Sequence, residues 1–276
     1  MKILTLVLGT GRELSAKATL YVLAAISTLI LLGAAATLSS TTSAEGSTLL
    51  LFGNPAGPPA PPDVFAGIVN QMESAFAGGL FAGVVLFGIF ATAGVLPDAL
   101  ERGTVDLYLS KPIARWELLA GKYLGSVLAI LMNIIYFIGF LWLIVGLRVG
   151  IWNMNLLLAG LMMTFAFACL FAIVSLFGVL TRNMAISIIF GFVYLFVISE
   201  VLQSREQGLY NLSTNAIYRA VLDGLYYILP QIPAMQRNVL KLVAGNGVEW
   251  QPFAQSFLSS AGILALAAWV LKRKDF

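Results

Sequence analysis

Charged residues divide this sequence into long uncharged segments, and this division restricts the possible folds more than any other feature. A transmembrane helix needs about 20 apolar residues to cross about 30 Å of hydrocarbon. The six segments, of 17 to 33 residues, are Ala18–Ala44, Ser74–Pro97, Tyr123–Leu147, Val149–Thr181, Asn183–Ser199 and Trp250–Leu271. We therefore expect one membrane span in each segment, with the fifth span extending past Glu200.

The composition excludes an ordinary soluble domain. Of the 276 residues, 59% are hydrophobic and only 11% are charged, whereas soluble domains are about 45–50% apolar and about 25% charged. We predict an all-α polytopic membrane protein, with a single transmembrane domain over residues 1–276. The predicted spans are 18–38, 75–97, 123–147, 155–180, 183–203 and 252–271.

Four segments outside the spans differ in composition. The pattern of residues 1–17 predicts an amphipathic helix on the inner membrane surface, with its basic side chains facing the lipid headgroups. Residues 39–74 form a Pro-rich outer loop, which is expected to be an extended, solvated connector. Residues 98–122 form a cytoplasmic loop, and the apolar spacing in the outer segment 204–251 predicts two short amphipathic helices. The first span is expected to stay uncleaved, because its apolar stretch is longer than the core of a secretory signal.

The distribution of Lys and Arg orients the predicted spans. With the N-terminus inside, the cytoplasmic segments carry 11 of the 16 Lys and Arg residues, in line with the excess of positive charge on cytoplasmic loops. The cluster Lys272–Lys274 directly follows the last span and is typical of a cytoplasmic anchor. We therefore predict a multi-pass protein of the inner (plasma) membrane, with both termini in the cytoplasm.

Several classes of chemistry are excluded by residues that the sequence lacks. It has no His and a single Cys, Cys169, so His-based zinc sites, Ser-His catalysis and an internal disulfide are excluded. No G-x-x-x-x-G-K-[S/T] phosphate-binding loop occurs, so the chain itself is not expected to hydrolyse ATP. We predict no catalytic residue, no metal ion, no cofactor bound by this chain and no nucleic-acid partner.

The loop after the second span carries the most information about function. The stretch Pro97–Lys122 contains eight charged residues, whereas the predicted spans on either side contain none. Gly103 and Pro112 bracket a short stretch, Thr104–Leu109, in which apolar residues alternate with other side chains. This loop must therefore meet water, lipid headgroups or another protein.

The same loop resembles that of a known family. The pattern Glu101–Thr104, Leu109–Arg115 and Gly121-Lys122 is similar to the signature of type-2 ABC transporter permeases, the ABC-2 membrane family. Within that family, the sequence looks closest to the branch of multicopper-enzyme-maturation and nitrous-oxide-reductase-maturation permeases. Three stretches elsewhere are also similar to that branch: Gly11–Leu14, Tyr226–Pro230 and Lys272–Phe276.

The resemblance implies the transmembrane permease subunit of an ATP-driven ABC exporter that works by alternating access. It implies a homodimer, or a dimer with a related permease, and two copies of a separate ABC ATPase subunit that would bind ATP and Mg. It also implies that loop 98–122 contains a short coupling helix that docks on the ATPase. The residues assigned to this coupling are Asp98, Glu101, Arg102, Gly103, Thr104, Leu107, Leu109, Pro112, Arg115 and Lys122.

One residue departs from the family pattern. The family often has Ser at the position of Ala114, where its hydroxyl would cap the next helix together with Glu117 three residues later. Ala114 cannot accept that backbone hydrogen bond. The helix is therefore expected to start more loosely, or to be capped by Ser110.

The family also lines its central path with the second and fifth spans. By this resemblance, the candidate path residues are Phe87, Phe90, Phe190, Tyr194 and Glu200. The residues alone leave another interpretation open, because such aromatic side chains also pack against lipid or neighbouring helices. Glu200 lies near enough to the outer surface for its carboxylate to reach water.

Two other functions also stay open at the level of sequence. An integral-membrane enzyme acting on lipids or prenyl carriers would need clustered carboxylates, and Asp98, Glu101 and Asp106 form the acidic cluster of the loop. A scaffold subunit that transports nothing is compatible with six spans as well. The residues of the loop also leave open an alternative to ATPase docking, in which it is a solvated segment held at the headgroups by Lys111, Arg115 and Lys122.

Overall fold

The computed structural model describes residues 2–16, 18–101, 114–206, 209–211 and 216–274, which are mainly helical. The helices are α1 (Lys2–Ser15), α2 (Ala18–Thr37), α3 (Pro62–Thr92), α4 (Val95–Ala99), α5 (Arg115–Val149), α6 (Met154–Thr181), α7 (Met184–Val193), α8 (Ser199–Gln203), α9 (Ala216–Ile228), α10 (Ile232–Val243) and α11 (Gln251–Arg273). A π-helical turn, Tyr194–Ile198, joins α7 to α8, and a 3₁₀ turn covers Leu209–Asn211. Three strands follow α2: β1 (Leu38–Ser43), β2 (Gly46–Leu51) and β3 (Asn54–Pro55).

Six helical stretches of the described chain are long and apolar enough to span a membrane. They are Ala18–Thr37, Pro62–Ala99, Arg115–Val149, Met154–Thr181, Met184–Gln203 and Gln251–Arg273. Each overlaps one of the uncharged segments, so the prediction of an all-α polytopic membrane protein is confirmed. The second and third stretches contain 38 and 35 residues, more than the about 20 that a bilayer requires. These two helices therefore extend beyond the hydrocarbon.

The six stretches alternate in direction, so the bundle has two ends. At one end, the guanidinium of Arg115 at the start of α5 donates to the carbonyl of Leu271 near the end of α11, at 3.1 Å. We call this the loop end, because the residues that flank segment 102–113, Glu101 and Ala114, lie at this end of the bundle. We call the opposite end, which carries β1 and β2, the hairpin end.

Helix α6 forms the centre of the bundle. It packs against α3, α5, α7, α10 and α11, and its Phe167 and Phe171 are among the largest fully buried side chains. Gly88 of α3 makes room for this core, because a Cβ there would lie 2.6 Å from the ring of Phe167. A helix that is apolar on all sides, as α6 is, fits such a surrounded position.

Helix α1 packs along α5, a contact that the predicted surface helix did not include. A Cβ on Gly121 would lie 2.4 Å from the side chain of Leu6, and one on Gly125 would lie 2.6 Å from Thr10. The two glycines, four residues apart, therefore form a flat face against which α1 lies. The N-terminal helix is present as predicted, but the face of α1 that points to the bundle is covered by α5.

The structure differs from the predicted outer loop 39–74. Strands β1 and β2 form an antiparallel hairpin, with Ser43 opposite Gly46 at the turn, and Leu38 and Leu49 are buried beneath it. The remainder is not a connector either, because α3 begins at Pro62. Proline is favourable in the first turn of a helix, where its missing N–H has no helical partner.

The outer segment 204–251 contains the two predicted helices, α9 and α10, but they are placed differently from each other. Helix α9 exposes Ile217, Val221 and Leu225. Helix α10 packs between α3 and α6, where Met235 and Val239 are fully buried. Helix α10 is therefore part of the core at the hairpin end.

Candidate functional site

The two ends of the predicted coupling loop are described, and its middle is not. Asp98 lies half-buried in α4, and Glu101 is exposed just after it. Arg115 and Lys122 lie in α5. The remaining coupling candidates lie outside the described residues: Arg102, Gly103, Thr104, Leu107, Leu109 and Pro112. Their predicted contacts with an ATPase stay predictions.

A separate apolar cluster holds both ends of the loop in place. It joins α4, α5, α6 and α11, and its buried members are Leu96, Leu100, Leu119, Val179, Ala267 and Leu271. Because α4 and α5 are the elements on either side of segment 102–113, a displacement of that segment would act on four helices together. Packed interiors transmit such displacements, since they contain few voids to absorb them.

Basic side chains also join the helix ends at the loop end. The Nη1 of Arg115 donates to the carbonyl oxygens of Leu271, Lys272 and Lys274, at 3.1, 3.2 and 2.5 Å. The Nζ of Lys274 in turn donates to the carbonyls of Val179 and Leu180, at 2.7 and 2.6 Å. Cations at the C-terminus of a helix satisfy its free carbonyls and favour its dipole. Burial, and then the nearby Arg182, lower the pKa of Lys274 below its usual value.

The start of α5 is capped in a way that the sequence analysis did not predict. The carboxylate of Glu117 accepts a hydrogen bond from the backbone N–H of Ala114, at 2.8 Å. This is one half of the reciprocal capping pattern, and the half that needs Ser at the first position is absent. The helix start is thus held by Glu117 from inside the helix.

Lys122 lies between two helices. Its side chain is only 3% exposed and forms an ion pair with Glu13 of α1. The reason is the close approach of α1 to α5 at Gly121 and Gly125, which covers the residue between them. Lys122 joins α1 to α5, and its assignment to ATPase coupling stays a prediction.

The candidate path residues do not lie together in the structure. Phe90 and Phe190 are about 40% exposed, and their rings pack on Phe192 at 5.2 Å and on Phe177 at 3.8 Å. Phe87 is half-buried against the main core. Tyr194 is 3% exposed, and its hydroxyl donates to the carbonyl of Pro230. Tyr194 is therefore a core residue of this chain, and its assignment to a path stays a prediction.

Glu200 is the one candidate path residue that borders a groove between the second and fifth spans. This apolar groove has a volume of about 190 Å³ and is formed by α3, the π-helical turn, α8 and the start of α10. Phe196 and Glu200 lie four residues apart, which places both side chains on one face of the span. The residues that line the groove are Phe81, Ala82, Val85, Leu86, Leu195, Phe196, Glu200, Ile232, Pro233 and Gln236.

A larger polar cavity of about 620 Å³ opens beside this groove at the hairpin end. Arg205, 7% exposed, lies on its wall, and its guanidinium Nε binds the carboxylate of Asp223 at 2.8 Å. The hydroxyl of Tyr210 donates to the same carboxylate oxygen at 2.5 Å. The hydrogen bond from Tyr210, and then the one from Arg205, lower the pKa of Asp223. These contacts hold α9 against the end of α8.

One comparison with known proteins decides the family. The model of the family described as ABC-2 family transporter protein matches residues 65–276. This range includes five of the six spanning stretches and most of the chain. The chain belongs to this family. No curated protein matches the chain.

Membership makes the chain a multi-pass membrane subunit of an ABC transporter. Subunits of the ABC-2 family are typically non-catalytic and generally work with an ATPase subunit. The groove and the loop end of this ABC-2 permease therefore belong to the membrane subunit of an ABC transporter. The finer assignment to the maturation branch goes beyond what the match covers.

The sequence analysis missed a buried acidic residue in this ABC-2 permease. Glu73 of α3 is fully buried, and its Oε2 accepts from the side-chain amide of Asn153 at 2.7 Å. The same amide nitrogen lies 3.2 Å from Asn70 Oδ1 and 3.0 Å from the carbonyl of Val243. This cluster ties α3, the start of α6 and the end of α10 together. Glu73 was assigned to the outer loop because the helix was expected to begin after it.

Proposed function

We propose that this ABC-2 permease couples ATP hydrolysis by a separate ABC ATPase to the export of its cargo by alternating access. In this proposal the working unit is a homodimer, or a dimer with a related permease, with two ATPase copies that bind ATP and Mg. Both termini and loop 98–122 are cytoplasmic, and the permease belongs to the maturation branch that its sequence resembles. The observation that carries the proposal is the support of both ends of segment 102–113 by one buried cluster.

Coupling requires that the element which docks on the ATPase is short and rigidly attached to the membrane spans. Movement of an ATPase reaches the membrane only if the docking element is fixed to the spans that have to move. Helix α4 continues the second span, and α5 is itself the third span. The cluster around Leu100 and Leu119 joins both to α6 and α11, and Arg115 adds hydrogen bonds to the end of α11. A push on the segment between them is therefore distributed over four spans.

Capture of the partner is the direct test of this proposal. The full chain, tagged and purified in mild detergent from its native host, is expected to bring down a stoichiometric ATPase with a Walker motif. Repeated isolation of the chain without any such ATPase would contradict the coupling function and would favour an enzyme or a scaffold instead.

A charge reversal tests whether Glu101 belongs to the contact. Glu101 is exposed and is the last described residue before segment 102–113, so Glu101→Lys is expected to leave the fold intact. Placing a like charge opposite a complementary partner costs several kcal/mol, so we expect at least about tenfold less captured ATPase. Glu45→Lys makes the same charge change at the exposed turn of the hairpin and should capture as much ATPase as the unmodified chain. Unchanged capture by Glu101→Lys would remove Glu101 from the contact.

A further inference from the structure

Glu200 lies where two different cavities meet. It borders the apolar groove between α3, the π-helical turn and α10, and it also borders the polar cavity at the hairpin end. No other residue lines both cavities in the part of the chain that the structure describes. A molecule that fills both would place an apolar part against Val85 and Leu195 and a polar part beyond the carboxylate of Glu200.

The groove has the chemistry of a site for an apolar chain. Seven of its ten lining residues are large or medium apolar side chains, including Phe81, Phe196 and Ile232. Glu200 is its only charged lining residue. Glu200 is exposed at the edge of the groove, and apolar walls on one side of a carboxylate strengthen its attraction for a cation because they screen charge less than water does. The groove therefore favours a ligand that brings a cation to Glu200.

The polar cavity has an excess of negative charge. Its acidic lining residues are Glu200, Glu206 and Glu249, and its basic lining residues are Arg205 and Arg237. Arg205 binds Asp223 and Glu206, and Glu249 binds Lys241 at 2.8 Å. When these partners outside the cavity are included, carboxylates still outnumber cations by one. A single positive charge would neutralise the site.

The other lining groups suit the head of such a molecule. Gln203, Gln231 and Gln251 offer amide oxygens, and Tyr226 and Tyr227 offer ring faces. The face of Tyr226 already accepts one cation, because the guanidinium carbon of Arg205 lies 3.6 Å from the centre of its ring. Tyr227 packs against Tyr226 at 5.4 Å and is 53% exposed. Cations bind favourably over such rings.

We propose that the groove and the polar cavity together bind an amphiphile, with its apolar chain in the groove and an ammonium-bearing head beside Glu200. The inference rests on the proposed transport function, since it names the class of cargo that this path would carry. The apolar lining of the groove favours a hydrocarbon chain, and the charge of the cavity disfavours an anionic head. An amphiphile with a sulfate head would place its negative charge against Glu200.

Photolabelling tests this site without the ATPase. The full chain, purified in a non-ionic maltoside detergent without ammonium groups, is irradiated with dodecyltrimethylammonium that carries a diazirine at the end of its chain. We expect labelled residues in the groove, within Phe81–Leu86 and at Leu195 and Phe196. The matching dodecyl sulfate probe should label the groove about tenfold less, which corresponds to about 1.4 kcal/mol of discrimination. Equal groove labelling by both probes would overturn the proposal.

Three variants locate the effect at Glu200. Glu200→Gln is expected to lower groove labelling by the ammonium probe about tenfold, whereas Glu200→Asp, which keeps the charge, should retain most of it. Glu45→Gln makes the same charge change at the exposed hairpin turn and should label as the unmodified chain does. Labelling elsewhere on the lipid-facing spans serves as an internal standard. Undiminished groove labelling in Glu200→Gln would contradict the assigned role of Glu200.

The two proposals fail in different ways. If an ATPase is captured but the ammonium probe does not prefer the groove, the cargo class is wrong and the transport function stands. If the groove is labelled as expected but no ATPase is captured, the binding site stands and the transport function is wrong. Arg237→Gln supplies a second measurement of charge, because it removes a cation from the cavity and should raise labelling by the ammonium probe.

Discussion

At the scale of single residues, burial decides what a charged side chain can do. Lys122 is 3% exposed and its partner Glu13 is 32% exposed. If the pair is broken, the carboxylate of Glu13 can turn to water, but the ammonium of Lys122 stays in the interior. The two partners therefore do not contribute equally to stability, although they share one ion pair.

We predict that removing Glu13 is more destabilising than removing Lys122. Glu13→Gln removes the carboxylate that pairs with the buried ammonium of Lys122 and should lower the free energy of unfolding by about 3 kcal/mol. Lys122→Met replaces the buried charge by an apolar side chain of similar length and should cost about 1 kcal/mol. Denaturant unfolding of the purified chain in detergent micelles measures both values.

Glu45→Gln, at the exposed hairpin turn, is the control and should leave the unfolding free energy unchanged. Equal losses for Glu13→Gln and Lys122→Met would contradict the predicted asymmetry between the two partners. The same result would mean that Lys122 reaches water in solution, which its burial between α1 and α5 argues against.

These residues also show what the sequence could not reveal. Charge counting along the chain placed Lys122 in a cytoplasmic loop, because it is the last charged residue before a long apolar segment. Its burial depends on α1, a helix more than one hundred positions away in sequence. Glu73 was assigned to the outer loop for a related reason, since its hydrogen bond comes from Asn153, eighty positions away, whose amide also donates to the carbonyl of Val243.

At the scale of helices, pairs of glycines have to be judged with the helix that faces them. The sequence contains the spacing of four residues at several places, including Gly79 and Gly83. A Cβ at either of these would meet nothing within 4 Å among the described residues. At Gly121 and Gly125 it would collide with α1. The spacing indicates a flat face, but the face stabilises the fold only where another helix packs against it.

We predict that Gly121→Leu separates α1 from α5. The added side chain would overlap Leu6, and overpacking of this kind costs about 1–3 kcal/mol. Arg12 of α1 is already exposed, but cleavage after it requires the helix to unfold locally, and a separated α1 unfolds more readily. Cleavage by trypsin after Arg12 is therefore expected to be about tenfold faster. Cleavage is followed by mass spectrometry on the purified chain.

Gly139→Leu is the matched control, because it lies in the same helix and a Cβ there would meet nothing within 4 Å. It should leave cleavage after Arg12 unchanged. If Gly121→Leu also leaves the cleavage rate unchanged, the close contact between α1 and α5 does not hold α1 in place.

Helix boundaries could be predicted only where a local signal marks them. Asn183 caps α7 by accepting hydrogen bonds from the N–H groups of Ala185 and Ile186, and the predicted fifth span begins at this residue. The start of α3 lies thirteen residues before the predicted start of the second span, because the polar residues Asn70, Gln71 and Glu73 suggested a loop. In the structure Asn153 binds Asn70 and Glu73, and α10 packs along α3, whereas Gln71 is exposed. A local sequence pattern does not record such contacts.

At the scale of the whole molecule, hydropathy predicted the number of spans but not which spans form the centre. All six uncharged segments are similarly apolar, yet α6 is surrounded by protein while α2 exposes Leu29 and Leu32. The distinction arises from packing between distant segments, such as Gly88 against Phe167. The exposed face of α2 and the groove beside Glu200 are therefore properties of the assembled bundle, not of any one helix.

The two ends of the bundle differ in charge, and this difference predicts its orientation. The loop end carries Arg12, Arg115, Arg182 and the cluster Lys272–Lys274, and cytoplasmic segments carry such an excess. Single cysteines report the side on which a residue lies, and the natural Cys169 is 2% exposed. In a Cys169→Ser background, we expect Glu45→Cys and Asn246→Cys to react with a membrane-impermeant maleimide on intact cells. Ser15→Cys and Lys272→Cys should react only after permeabilisation. The reverse pattern would place segment 102–113 outside the cell, where no ATP-driven subunit could bind it.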